Sequence, residues 1–437
     1  MCRARDCEQG DRLDKPLSGY GRNMEKKIII MSNLDIWSIG EGKGAPSFYN
    51  TIKAYVDDDW DVTLIQPKSR FRKDYQVEGC RIVKFNFFIF DLINQIPKVR
   101  FFFRFLASPC LTWLFYRTAK RVLAKKGCCV LYAYEVDAVM AGKKLSRKFG
   151  YPLVTRFQGT ILKDYANTQI NRLKKHAHFL ALEQKSDMII MTDDGTQGDQ
   201  VLKRLGNSTE RVYFWKNGQT VYDHEEAQAG ARARVRTQHG IPAAAPVLLT
   251  VSRLRHWKKV DRAINAMPQV LKFFPECRLV IVGDGDEYNR LVKLAENLGI
   301  MGSVVFAGAV EQERVWEYYC IADVFLSLYD LSNVGNPLME AMRQGKAILT
   351  LDVGDTNMII KDEKNGILLR QDQLDRVAEA VARLLSDSDL RQKIGNSARE
   401  YAREHFWTWD ERMQAEINAV NAMRNEFTPG PVSRSIF

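Results

Sequence analysis

A chain of 437 residues, 46% hydrophobic and 27% charged, is too long for one core and suits two domains of ordinary size. Its eight cysteines follow no disulfide or metal-ligand spacing, which excludes a disulfide-built or zinc-built fold and points to a reducing cytosol. The net charge of +11 is concentrated: residues 68–126 carry 14 Lys and Arg against Asp74, Glu78 and Asp91, an excess equal to that of the whole chain.

In chain order, the first 23 residues are polar, lack an apolar signal-peptide core and are expected to be a disordered extension. From Lys26 the pattern alternates between short apolar runs and amphipathic stretches. "KIIIMS" predicts a buried strand, "SFYNTIKAYV" a helix, and "DVTLIQ" and "CRIVKF" two more strands. The basic segment 68–126 interrupts the alternation with "FNFFIFDLI" and "FFFRFLASPCLTWLFY". Basic residues beside clustered aromatics fit contact with anionic lipid; an aromatic core under solvated charges fits equally. No nucleic-acid motif accompanies the charge, and a contiguous Phe-Phe-Phe is too apolar for a phosphate groove. No stretch of 18 residues is apolar enough for a membrane span.

Beyond the insert come "CCVLYAY", a helix over 136–148, "PLVTRF", a long helix over 168–185, "SDMIIMT" and "RVYFW". An Ala- and Arg-rich stretch then reads as a linker with one exposed helix. A second series follows: "VLLTVS", a helix after Asp261 that places Ile264, Met267, Leu271 and Phe274 on one face, then "RLVIVG", "SVVFAG", "DVFLSL", "AILTL" and "GILL" with helices between. Such alternation predicts α/β architecture, with two doubly wound parallel sheets whose strand ends face each other across a cleft. The expected organisation is an extension over 1–23, a first domain over 24–220, a linker over 221–246, a second domain over 247–405, closing helices over 406–426 and a tail over 427–437.

Four strand-end turns of the second domain carry the candidate chemistry. "VSRLRHWKKVD" sets Arg253 and Lys258 five residues apart between a strand and a helix, where a bidentate donor and a point charge suit a diphosphate. "VIVGDGDEY" offers Gly283 and Gly285, and "FAGAV" offers Gly308 and Val310, as positions for close backbone approach. In "DLSNVGNPLMEAMRQG", Ser332, Asn333, Val334 and Gly335 form a polar turn, and Glu340 lies in the first turn of the helix it opens. Its carboxylate can hold a ribose diol, or can simply favour the helix N-terminus.

Together these motifs, in this order and spacing, resemble the retaining GT-B glycosyltransferases of family 4 from Val247 to about Leu369. The first domain is more loosely similar: "IIIMSNLDIWSIGEGKGAPSFYNTI" looks like the first strand and glycine loop, and "YPLVTRFQGT" takes the place of a strand with a His-Gly turn. "VYFWKNGQTV" is similar to the strand end before the linker, and "EHFWTWDERM" to a closing helix that returns to the first domain.

The resemblance implies a hexosyltransferase-type enzyme with a nucleoside-diphosphate sugar as substrate, no other cofactor and no metal. Arg253 and Lys258 would hold the diphosphate, Glu340 the ribose, Ser332, Asn333, Val334 and Gly335 the sugar or phosphate, and Gly44 the phosphates from across the cleft. Gln158, Gly159 and Thr160 would lie on the acceptor side. A glycan or lipid-linked acceptor, as in cell-envelope polysaccharide synthesis, would account for the basic aromatic insert and for a cytoplasmic protein peripheral on the inner membrane face. Two departures stand out. The family pairs the Glu at 340 with another eight residues earlier, where this chain has Ser332, so that Asn333 or Asp330 would take over hydroxyl recognition. Gln158 replaces a frequent His and cannot act as a base. A nucleotide-sugar epimerase of the same fold and a non-catalytic nucleotide-sugar-binding protein are the alternative readings.

Overall fold

The computed structural model describes residues 25–34, 46–68, 76–87, 100–126, 130–221 and 225–427. Two parallel sheets organise them. The first contains β1 (Lys27–Ser32), β2 (Asp61–Lys68), β3 (Cys80–Asn86), β4 (Val130–Tyr134), β5 (Leu153–Phe157), β6 (Met188–Thr192) and β7 (Val212–Trp215), in the order 3-2-1-4-5-6-7. The second contains β8 (Val247–Val251), β9 (Arg278–Val282), β10 (Val304–Gly308), β11 (Val324–Ser327), β12 (Ala347–Leu351) and β13 (Ile367–Leu369), in the order 10-9-8-11-12-13.

The central strands are continuous apolar runs because both faces of each sheet are covered. Along β1 and β4, Ile29, Met31, Leu131 and Ala133 join one core cluster, while Ile28, Ile30, Val130 and Tyr132 join another on the opposite face. The same alternation separates Leu248, Leu279 and Ile281 from Val247, Leu249 and Val280. In each sheet the strand order reverses once, between β1 and β4 and between β8 and β11. Loops leaving adjacent strands at such a reversal diverge and open a crevice at their carboxyl ends. The second reversal brings together the loops carrying Arg253 and Lys258 and the turn at 328–335.

Helices follow the expected periodicity with three informative differences. The helix Asp261–Phe273 buries Ala263, Ile264, Met267 and Val270, with Leu271 and Phe274 only half-buried beside them. The single helix expected over 168–185 is two, Gln169–Lys174 and His176–Leu182, broken at Lys175. The linker helix Glu225–Gln238 is not merely exposed: Ala231 and Val235 are fully buried, Arg234 pairs with Glu317 at 3.1 Å, and Arg232 donates to the Cys320 carbonyl. Its small residues make too narrow a stripe to stand out in a periodicity reading.

The basic aromatic segment forms the helix Arg100–Lys126, whose Leu111, Phe115, Ala119, Val122 and Leu123 pack with Phe85 and Phe87 in the first core. Its opposite side exposes Trp113, with the Arg117 guanidinium stacked over the indole at 5.1 Å. The expectation for 69–75 and 88–99 lies outside the described residues. The final helix, Trp409–Glu426, packs on the first sheet: Ile417, Val420 and Met423 pack among Ile28, Ile30, Tyr55 and Tyr132.

Candidate active site

The segment after β8 is held by backbone bonds to the turn after β9. Ser252 N donates to Val282 O at 3.0 Å and Leu254 N to Asp284 O at 2.9 Å. Gly283 and Gly285 take φ of +134° and +158°, and a Cβ at either would collide with the carbonyl oxygen of Ser252 or Leu254. These glycines therefore position the Arg253 segment by letting backbone meet backbone. Arg253 itself is exposed at the strand end.

Lys258 closes a short 3-10 turn, His256–Lys258. Its ammonium lies 3.8 Å from the Tyr329 ring centroid and 4.2 Å from that of Trp257. Burial, then the charge of Arg253, pushes its pKa down to about 7, against a pull upward from Asp194. Tyr329 is fixed in turn, since its hydroxyl donates to Val251 O at 2.9 Å and its N–H to Asn333 Oδ1 at 3.0 Å.

Asn333 works inside its own turn. It is 1% exposed, its Oδ1 also accepts from Ser327 Oγ at 2.9 Å, and its Nδ2 donates to Leu351 O at 3.2 Å. The Ser332 hydroxyl donates to Asp194 O of the first domain at 2.6 Å and accepts from Val334 N at 3.1 Å. Gly335 caps the helix Asn336–Arg343, which carries Pro337 in its first turn. Glu340 on that helix accepts from Tyr319 Oη at 2.8 Å and from Gln312 Nε2 at 3.3 Å. Burial raises its pKa and these two bonds oppose the rise. It lines a shallow recess with Thr220, Gln312, Trp316 and Tyr319. Gly308 needs its glycine for φ of +72°, with open space where a Cβ would be, and Val310 is half-buried behind it.

The first domain meets this edge with three strand ends. Gln158, after β5, donates its N–H to Glu135 Oε1 at 2.8 Å and its amide to Tyr134 Oη at 3.3 Å. Gly159 takes φ of +93°, and a Cβ there would collide with the Asp194 carboxylate. Thr160 N donates to Thr196 Oγ1 at 3.0 Å, which donates to Asp194 Oδ1 at 2.5 Å. The turn named from the sequence is thus flanked by two carboxylates that were not. Glu135 sits at φ 72°, ψ 163°, a strained conformation for a non-glycine residue. Burial pushes it up to about 7 and Asp194 up to about 6. Nothing in "YEVDA" or "TDDGT" marks them, because strand-end acids are common and their pairing with residue 158 is purely tertiary.

The two domains touch at this edge. Besides the Ser332 bond, Gln197 Nε2 donates to Asp355 Oδ1 at 2.9 Å and Asn217 Nδ2 to Asn336 Oδ1 at 3.1 Å. Gly195 and Gly354 permit the approach, since a Cβ on either would strike Ser332 or the facing loop. Gly44 lies outside the described residues. Among the described residues, no group of three or more His, Cys, Asp or Glu is placed to hold a metal ion, and no helix is long and apolar enough to cross a membrane.

Residues 231–401, which carry Arg253, Lys258, Ser332 and Glu340, match the family described as Glycosyl transferases group 1. The second domain belongs to the group 1 glycosyl transferases. Among curated relatives, a GDP-mannose-dependent alpha-(1-6)-phosphatidylinositol monomannoside mannosyltransferase of Mycobacterium tuberculosis (strain ATCC 25618 / H37Rv) is 29% identical over 195 residues, 43% of this chain and 50% of the relative. The chain spans about half the length of the curated relatives it matches. Two solved structures share the fold across both domains. Sucrose-phosphate synthase from Thermosynechococcus elongatus superposes with a TM-score of 0.72 at 18% identity, over 91% of this chain and 98% of that one. Anabaena HepE in complex with UDP superposes with a TM-score of 0.65 at 18% identity, over 91% and 100%. The chain therefore has the two-domain GT-B fold, and the segment that matches the group 1 glycosyl transferases carries Arg253, Lys258 and Glu340. Glu135, Gln158 and Asp194 lie outside that segment.

Proposed function

We propose that this chain is a retaining, metal-independent glycosyltransferase. It moves a hexose from a nucleoside-diphosphate sugar to a glycan or lipid-linked acceptor in cell-envelope polysaccharide synthesis. The observation that carries this reading is the Arg253 and Lys258 pair at the β8–β11 reversal, with Lys258 seated on Tyr329 and Trp257. Two cations at one strand edge suit a diphosphate, and the carboxylate of Glu340, on the helix that follows the adjoining β11 turn, suits the ribose diol.

In the reaction, the bond from the anomeric carbon to the β-phosphate oxygen breaks and the nucleoside diphosphate leaves. Arg253 and Lys258 stabilise the charge that grows on the departing oxygen. The acceptor oxygen bonds to the same face of the sugar, and its proton passes to the departing phosphate, since Gln158 has no basic group. The likeness to transferases supports this reading over an epimerase or a non-catalytic binder.

A thermal-shift screen with UDP-glucose, UDP-N-acetylglucosamine and GDP-mannose is expected to find one stabilising donor, undiminished by EDTA. Arg253→Ala should weaken its binding at least ~10-fold, in line with loss of a charge-assisted bond. Stabilisation by none of the three, with Arg253→Ala behaving as wild type, overturns the reading.

A membrane-bound acceptor draws support from the exposed side of the helix Arg100–Lys126, where Trp113, Arg117, Lys120 and Arg121 are all exposed. A basic face with an indole suits an anionic lipid interface. Phosphatidylglycerol vesicles should sediment the protein at low salt and release it at high salt. Trp113→Ala with Arg117→Ala should reduce capture; no sedimentation at low salt would remove the lipid surface from the proposal.

A further inference from the structure

A donor held by its diphosphate on Arg253 and Lys258, with its ribose toward Glu340, must point its sugar the other way. That direction leads past Lys258 to the contact between Ser332 and the first domain. What the second domain can offer there is limited. Ser332 has its hydroxyl engaged with Asp194 O and Val334 N. Asn333 is consumed inside its turn. Asp330 is tied to Arg262 at 2.6 Å and to Lys259 at 3.5 Å.

A carboxylate does stand there, delivered from across the cleft. The main chain of Asp194 is pinned against Ser332, and Gly195 and Gly354 let the two loops press together. Its Oδ1 accepts from Thr196 N at 3.1 Å and from Thr196 Oγ1 at 2.5 Å, which fixes the plane of the carboxylate. The Gly159 backbone packs against the carboxylate and a Cβ there would strike Oδ2, so the group fits only beside a glycine. The charge of Asp194 is felt at Lys258.

We propose that Asp194 is a specificity-determining residue that accepts a hydrogen bond from a hydroxyl of the transferred sugar. A carboxylate held by two bonds on one oxygen presents the other in a fixed direction, and such a site rejects a sugar lacking the matching hydroxyl. The serine at position 332 and the aspartate at 194 then form one arrangement. The small residue lets the first-domain loop approach, and the loop brings the carboxylate. This inference rests on the glycosyltransferase reading.

The test uses the full chain, the best donor from the three-compound screen and its free nucleoside diphosphate. Asp194→Asn keeps the shape and the Thr196 bonds, and Asp194→Ala removes both. The Ser332 hydroxyl donates to the main-chain oxygen of residue 194 and so needs no side chain there, and melting curves verify the fold of each variant. In both variants, affinity for the donor should fall relative to affinity for the free nucleoside diphosphate, any change common to the two reporting the effect of the Asp194 charge on Lys258. Turnover of the donor, as kcat/KM, should fall about 10- to 100-fold, as for loss of a hydrogen bond to a charged group. Discrimination between donors that share the nucleotide, UDP-glucose against UDP-galactose or GDP-mannose against GDP-glucose, should shrink toward unity. Unchanged discrimination and turnover overturn the role of Asp194 while leaving the transferase reading intact. Equal loss of nucleotide and nucleotide-sugar binding in folded variants also overturns it. A wild-type protein that binds no nucleotide overturns the transferase reading first.

Discussion

Replacing Glu416 with alanine is expected to lower the stability of the chain by about 3–5 kcal/mol, the cost of removing one partner from a buried ion pair. Glu416 is 0% exposed, and its Oε2 lies 3.0 Å from Arg412 Nη2 and 3.2 Å from Arg156 Nη1, themselves 0% and 1% exposed. Its Oε1 accepts the Tyr132 hydroxyl at 2.6 Å. Without the carboxylate, two guanidiniums of like sign would face each other in the core. Burial and the charge of Arg156 already depress the pKa of Arg412. The indole of Trp215, 4.6 Å from the Arg412 guanidinium, compensates only in part. The network joins the final helix to β4 and β5 of the first sheet, so its loss should free that helix before the rest of the domain unfolds. Glu416→Gln, which keeps the shape and one acceptor, should fall between. Denaturant midpoints by circular dichroism measure the difference, and a Glu416→Ala midpoint equal to wild type would contradict the account.

This network also marks the limit of what the sequence discloses. Arg156 sits in "LVTRF", an ordinary strand pattern with one misplaced cation, and its partner lies 260 residues later. Fold class was legible because the strands are short, mostly apolar runs, and the alternation of such runs with amphipathic stretches leaves little choice but parallel sheets. The break at Lys175 and the burial of Ala231 and Val235 were not, because neither a single residue's backbone angles nor a narrow alanine stripe disturbs periodicity. At the site, the sequence marks residue types that suit phosphate and ribose. It could not show that Gly283 and Gly285 press on the Arg253 backbone, or that Asn333 is consumed by its own turn. It missed Glu135 and Asp194 because each gains meaning only from the strand that folds beside it. The Ser332 departure was visible as an oddity, and its contact with Asp194 and Gly195 is tertiary.

Lys258→Ala is expected to reduce donor turnover about 10²- to 10³-fold, the usual cost of deleting one group that stabilises charge on a leaving atom. The free protein makes a second, sharper expectation. Burial and Arg253 hold the Lys258 ammonium at a pKa of about 7, against 10.5 for an ordinary lysine. A bound diphosphate adds negative charge beside Lys258 and raises that value, so the complex holds more proton than the free protein. Binding must therefore take up a proton above pH 7, and affinity must weaken as pH rises from 7 to 9. At pH 8, titration calorimetry in two buffers of different ionisation enthalpy should report uptake approaching one proton per donor bound. Lys258→Arg, which stays charged across this range, should abolish most of that uptake while fitting the Tyr329 ring less well. Affinity that is flat from pH 7 to 9, with no proton uptake at pH 8, would mean that Lys258 is already charged in the free protein or does not meet the diphosphate. Turnover of Lys258→Ala separates those two cases: a large loss keeps Lys258 on the phosphate, and a small one removes it from the site.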